Sequence, residues 1–268
     1  MSERALAYPV DPMIRATQLV KKYGERTAVA GIDLHIPAGQ LVGLLGPNGA
    51  GKSTTIKMLT GMLTPTSGTA TVAGHDIVTD ALAAKRELGY VPETGAVFEA
   101  LTASEYLALV AALHSIPEDE VQPRIDRFLS FFDLAANDVR SKPLASFSKG
   151  MKQKIVITAA LLHNPKIVFL DEPLDGLDAN AALQFKSLIQ TLAREGKTIV
   201  YCSHILDVVE RMCERVVIIH QGRILEDGPV PQILERTGTP SLEQAFNRLT
   251  STQNQLERAE EMARAMNR

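Results

Sequence analysis

The chain has 268 residues, 45% of them hydrophobic and 22% charged, with 28 basic against 31 acidic side chains and a net charge of −3. That balance excludes a disordered or fibrous chain and a broadly basic nucleic-acid binder. No run approaches the roughly 18 apolar residues of a membrane-spanning helix; the longest, Tyr106 to Leu113, suits a buried helix.

The N-terminal stretch Met1 to Pro12 mixes Glu3, Arg4 and Asp11 with two prolines and lacks the apolar core of a signal peptide. Strand patterns follow at Ile14 to Val20, Thr27 to Ile36 and Leu41 to Leu45, then a helix over Lys52 to Met62 and a strand at Gly68 to Val72. From about Thr94 to Asn164 strands give way to helical patterns: Thr102 to His114, Glu118 to Phe132 and Lys149 to His163. Strand and helix then alternate again, with strands at Ile167 to Leu170, Thr198 to Tyr201 and Val216 to Ile219 and a helix over Asn180 to Arg194. The alternation is that of an α/β fold with a helical insertion. Beyond Thr237, Ser241 is placed to cap a short helix, and Leu249, Leu256, Ala259, Ala263 and Met266 recur at helical spacing. That last stripe suits either a tail packed on its own core or a partner-binding helix. Cys202 and Cys213 lack metal or redox spacing, which fits a reducing, cytoplasmic compartment.

The sharpest local pattern is Gly46-Pro47-Asn48-Gly49-Ala50-Gly51-Lys52-Ser53, followed by Thr54. It joins an apolar strand to a helix and matches the P-loop. Glycines let consecutive backbone N–H groups face a phosphate chain, and the helix adds its positive end. Lys52 reaches the β- and γ-phosphates, and the Ser53 hydroxyl suits Mg²⁺. A second strand, Ile167 to Leu170, ends in Asp171 and Glu172. Asp171 is placed to hold the Mg²⁺ shell and Glu172 to polarise an attacking water. Read alone, the pair could equally cap a neighbouring helix; beside a P-loop the nucleotide reading prevails.

Phe147-Ser148-Lys149-Gly150-Met151-Lys152-Gln153-Lys154 resembles the signature motif of ATP-binding cassette (ABC) ATPases. The other marks of that family stand in order: Tyr23 for adenine stacking, Glu93 at the Q-loop, Gly176-Leu177-Asp178 as the D-loop and His204 as the switch histidine. The resemblance covers about residues 13 to 236. It implies an α/β P-loop NTPase (RecA-like) core with an antiparallel β edge and an inserted α-helical subdomain. It divides the chain into a tail (1–12), an ATPase domain (13–236) and a C-terminal helical extension (237–268). Within the domain the core is 13–93 and 165–236, and the helical subdomain is 94–164.

In this family Ser148, Lys149 and Gly150 would face the ATP of another cassette, so a complete site needs two cassettes head to tail, a homodimer favoured over a heterodimer. ATP and Mg²⁺ are the implied ligands, with Ser53, Glu93 and Asp171 toward the metal and Glu172 and His204 catalytic. The stretch Val91 to Thr102 resembles the exporter-type ABC-2 branch, including Ecs-like members, in which a separate transmembrane permease docks near Glu93 to Leu101. The chain would then lie on the cytoplasmic face of the membrane and bind no nucleic acid. The competing reading is a soluble, non-transport ABC ATPase acting on ribosomes or DNA.

Four positions depart from the commonest pattern. Glu93 replaces glutamine. Lys149 replaces glycine, with Met151 in place of the motif's last glutamine. Asp175 stands where the D-loop often has serine. Lys149 therefore has two readings, a cation beside the γ-phosphate or a side chain directed to solvent. Tyr23 and His204 likewise keep plainer readings, as a strand-end aromatic and a helix cap.

Overall fold

The structure, a computed structural model, describes residues 12–135, 140–250 and 266. Two sheets organise it. Strands β1 (Ile14–Tyr23), β2 (Arg26–Ile36), β4 (Ser67–Val72) and β5 (His75–Asp76) form an antiparallel sheet in the order β2-β1-β4-β5. The larger sheet comprises β3 (Leu41–Leu45), β6 (Leu88–Val91), β7 (Ile167–Asp171), β8 (Thr198–Cys202), β9 (Arg215–His220) and β10 (Arg223–Pro229). Its order is β10-β9-β3-β8-β7-β6, parallel except for the β9–β10 hairpin.

Both faces of the parallel sheet are covered, which is why its strands are continuous apolar runs rather than alternating ones. Along β7, Val168 and Leu170 join one buried cluster while Ile167 and Phe169 join the other. The first cluster gathers the helices α3 (Ala103–Leu113), α4 (Glu118–Phe131), α5 (Lys149–Leu161), α6 (Ala179–Arg194) and α7 (Leu206–Met212). The second joins the antiparallel sheet and α1 (Lys52–Leu59). A short α2 (Ala81–Glu87) precedes β6, and α8 (Val230–Thr237) and α9 (Leu242–Thr250) close the described chain.

The fold is the α/β core with an antiparallel edge and helical segment that the sequence predicts, with local corrections. The helix starting at Lys52 ends at Leu59, not Met62, because Gly61 turns the chain at a φ of +65°. The helix from Lys149 ends at Leu161, short of His163, and Asn164 and Pro165 then break the pattern. Strands β5, β6 and β10 and helix α2 carry no clear periodicity: β6 has four residues including Gly89, and β10 is a charged edge strand. The apolar run Tyr106 to Leu113 lies on α3, whose start is fixed by a capping box between Thr102 and Glu105. It is not wholly buried: Leu107 and Ala111 face the core, whereas Leu109 and Leu113 are 41% and 70% exposed. Ser241 does cap α9, accepting from Gln244 N at 3.3 Å. The tail before Pro12 and the positions Leu256, Ala259 and Ala263 lie outside the described residues. No helix among those described is long and apolar enough to cross a membrane.

Candidate nucleotide site

Strand β3 delivers the P-loop to the carboxyl edge of the parallel sheet, where open α/β sheets bind ligands. The loop is braced from both sides. Ala30 N donates to Gly222 O, and Gly222 N donates to Ala50 O, each at 2.8 Å. The first ties β2 to the β9–β10 turn and the second ties that turn to the loop. Gly51 ends the loop at a φ of +110°, a region closed to ordinary side chains, and α1 starts with neither a side-chain cap nor an acidic residue in its first turn. Its positive end is therefore left for an anion. Lys52 Nζ lies along the loop and donates to the carbonyls of Gly46 at 2.6 Å and Pro47 at 3.2 Å. On the flank, Arg26 of the β1–β2 turn sits against Gly49, which brings Tyr23 to the same edge. The Tyr23 ring is half exposed, with the Lys21 ammonium 5.5 Å from its centroid.

Strand β8 lies between β3 and β7, and its last residue, Cys202, with Ser203 and His204 just after it, supplies partners to both carboxylates. Asp171 is buried, and burial raises its pKa above the ordinary carboxylate value; hydrogen bonds from the Cys202 thiol and the Ser53 hydroxyl and the charge of Lys52 oppose that rise. Ser53 and Asp171 thus converge from α1 and β7. A hydroxyl and a carboxylate are hard oxygen donors, which fits Mg²⁺ held by few protein groups beside phosphates. Glu172 takes a left-handed backbone, φ +50°, uncommon for a residue with a side chain. Its N–H donates to Cys202 O at 2.9 Å. Its carboxylate accepts from the Ser203 hydroxyl at 3.1 Å and meets His204 Nδ1 at 2.9 Å. Glu172 is mostly shielded, whereas the His204 side chain is 75% exposed.

Ser148 caps α5, its hydroxyl accepting from Met151 N at 3.2 Å. Asp178 caps α6 and accepts from Ala181 N at 2.9 Å. The side chain of Lys149 pairs with Asp175 Oδ2 at 2.7 Å, an arrangement neither sequence reading of that lysine contains. Glu93 follows β6 on the same carboxyl edge and is exposed. The structure therefore assembles Lys52, Ser53, Asp171, Glu172 and His204 at one edge, with Tyr23 beside it. The Ser148 loop has its side-chain contacts with the segment after Glu172. Sequence reasoning missed Ser203 and the role of Cys202. Ser203 adjoins His204, but nothing in the linear pattern says that its hydroxyl meets a carboxylate one strand away.

A P-loop joined to paired carboxylates across one intervening strand, with a histidine on the adjacent loop and an inserted helical segment, defines a P-loop ATPase of the cassette type. The family described as ABC transporter matches residues 29–175. Linearmycin resistance ATP-binding protein LnrL of Bacillus subtilis is 37% identical over 227 residues, 84% of this chain and 72% of that one. ABC transporter ATP-binding protein NatA of the same organism is 35% identical over 240 residues, covering 87% and 96%. A solved structure of the ATP-binding subunit of an ABC transporter superposes with a TM-score of 0.84 at 33% identity, over 89% of this chain and 100% of that one. The chain belongs to the ABC transporter family. It is an ATP-binding subunit of that family, an ATPase coupled to transport.

Proposed function

We propose that this subunit powers a separate membrane permease, in export, by closing and opening as a head-to-tail pair of identical cassettes around ATP and Mg²⁺. The observation that carries the reading is the convergence of Lys52, Ser53, Asp171, Glu172 and His204 on one sheet edge. The P-loop and Lys52 bind the phosphates, Tyr23 stacks on the base, and Ser53, Asp171 and Glu93 serve the metal shell. Mg²⁺ supplies charge neutralisation on the transferring phosphoryl group. Glu172 accepts a proton from the attacking water. His204, bonded to Glu172 and otherwise open, turns to the γ-phosphate, while the buried Ser203 hydroxyl holds the carboxylate's orientation. Ser148, Lys149 and Gly150 present the start of α5 to the nucleotide of the second cassette, and Asp178 lies at the same seam.

Export is favoured by the relatives. The LnrL name assigns that protein to linearmycin resistance, and the Streptomyces peucetius relative DrrA, 34% identical over 226 residues, is named for daunorubicin and doxorubicin resistance. The permease contact falls near Glu93 to Leu101. There Phe98 is 63% exposed, its ring tilted against that of Tyr106 at 6.2 Å between centroids. The subunit then sits on the cytoplasmic face of the membrane through that contact. Purification of the tagged chain from detergent extract tests this. Recovery of a polytopic membrane protein, lost on Phe98→Asp, supports the reading; recovery of ribosomes without a membrane protein overturns it.

A further inference from the structure

Two of the departures from the family pattern, Lys149 and Asp175, meet each other. They stand at the edge of a larger contact. The first turns of α5 present Lys149, Gly150, Gln153 and Lys154 on one side, and all four meet the segment 173–178 that follows Glu172. Gln153, buried, donates from Nε2 to Pro173 O at 3.0 Å. Lys154 Nζ lies 3.4 Å from Asp178 Oδ2. Gly150 rests so closely on the Gly176 carbonyl that a Cβ at position 150 would overlap it. Gly176 has a φ of +81°, and a Cβ there would fall 2.9 Å from Lys149 Cγ. The lysine stem therefore crosses the open face of Gly176, and its ammonium ends on the Asp175 carboxylate.

We infer that Lys149 and Asp175 are positioning residues that tie the start of α5 to the segment after Glu172, so that both approach the second cassette as one body. The inference rests on the head-to-tail reading proposed above. The two tied segments come from different parts of the fold: α5 from the helical segment, residues 173–178 from the end of β7. Gly150 on Gly176 and Gln153 on Pro173 supply the packing. The ion pair fixes the register of the outermost turn, where Ser148 and Gly150 present their N–H groups. Each charge also neutralises the other, so the added cation is not spent on the nucleotide and the added anion does not repel it. With both ends pre-set, less ordering is left to the moment of closure, which favours closure at lower ATP. Lys149 and Asp175 are 71% and 52% exposed, so the effect is of the few-fold size of exposed ion pairs and is screened by salt.

The test compares the unaltered chain with Lys149→Glu, Asp175→Lys and the exchanged double variant Lys149→Glu/Asp175→Lys. Two readouts are taken: amide hydrogen exchange over 148–152 and 172–178 without nucleotide, and the ATP concentration giving half-maximal hydrolysis. Each single variant is expected to speed exchange in both segments and to raise half-saturating ATP about threefold to fivefold at low salt, with the exchanged pair restoring both to within about twofold. Unchanged exchange in the single variants overturns the tie. Restored exchange with unrestored half-saturation overturns the positioning role, because Lys149 then acts on the nucleotide directly. The reading beneath it fails separately: an unaltered chain that stays monomeric with MgATP refutes the closing pair, while exchange still decides whether the tie exists.

Discussion

Gly51→Ala isolates what the P-loop backbone contributes. A Cβ on Gly51 falls 2.5 Å from the Ala28 carbonyl oxygen and 3.5 Å from Gly222 Cα. Ordinary carbon–oxygen contact begins near 3.3 Å, so the methyl is about 0.8 Å too close. Neither neighbour can retreat cheaply, since Ala28 lies in β2 and Gly222 is hydrogen-bonded to Ala50. The φ of +110° adds backbone strain of about 1–3 kcal/mol, and overpacking adds about 1–3 kcal/mol. Even the lower end of the combined range, about 2 kcal/mol, weakens MgATP binding about 30-fold when the loop gives way. Gly74→Ala is the control: its φ is +83°, with nothing within 4 Å of the added Cβ. It carries the backbone strain without the collision and lies on the β4–β5 turn. Titration calorimetry with MgATP and thermal unfolding should show both variants destabilised but only Gly51→Ala impaired in binding. Binding by Gly51→Ala within twofold of the unaltered chain would refute the reasoning, as would equal impairment of Gly74→Ala.

Glu172→Gln should lower the hydrolysis rate about 10²–10⁴-fold while leaving ATP binding intact, and ATP should then accumulate a dimer on size-exclusion chromatography; retained turnover would remove Glu172 as the base. Cys202→Ala removes a donor to Asp171, so half-maximal hydrolysis should need more Mg²⁺, by less than the roughly tenfold of a stronger second partner. Calorimetric Mg²⁺ titration in the presence of ADP gives the same answer without turnover, and an unchanged Mg²⁺ affinity would count against the contact. His163 is held neutral in the fold: burial, then the neighbouring His114, lowers its pKa from 6.5 to about 4. The unfolded chain takes up a proton that the folded chain refuses between those values. The stability present above pH 6.5 is therefore lost progressively as pH falls toward 4. Urea unfolding at pH 7 and pH 5 should show a smaller loss for His163→Gln than for the unaltered chain; parallel losses would place the acid sensitivity elsewhere.

The motif residues were legible because each lies where a regular element ends, and such ends leave a chemical trace. Gly51-Lys52-Ser53 opens α1, Asp171 closes β7, and Ser148 and Asp178 cap α5 and α6. What joins them was not legible. Nothing in the linear order puts β8 between β3 and β7, yet that placement gives Asp171 its thiol partner and Glu172 its hydroxyl partner. Lys149 shows the same limit. Taken singly it reads as a cation for phosphate or for solvent, and only the turn at Gly176 carries it to Asp175. Short elements such as β6 and α2 failed for a different reason: four to seven residues are too few for a period to emerge.

Two of the site's left-handed backbone positions, Gly51 and Glu172, are used differently. At Gly51 the conformation carries no side chain, and the room gained is used by Ala28 and Gly222 to hem the phosphate loop. At Glu172 the side chain is the point of the position, so strain of order 1–3 kcal/mol remains and must be opposed locally. Its N–H on Cys202 O opposes it from the backbone side, and Ser203 and His204 do so from the carboxylate side. The two side-chain partners are not equivalent. Ser203 is buried and cannot follow a ligand, whereas His204 is exposed and can turn away from Glu172. In the mechanism proposed above, Glu172 would therefore keep one fixed partner, Ser203, when His204 turns to a phosphate. Under that proposal its carboxylate would stay aimed while it exchanges the histidine for water.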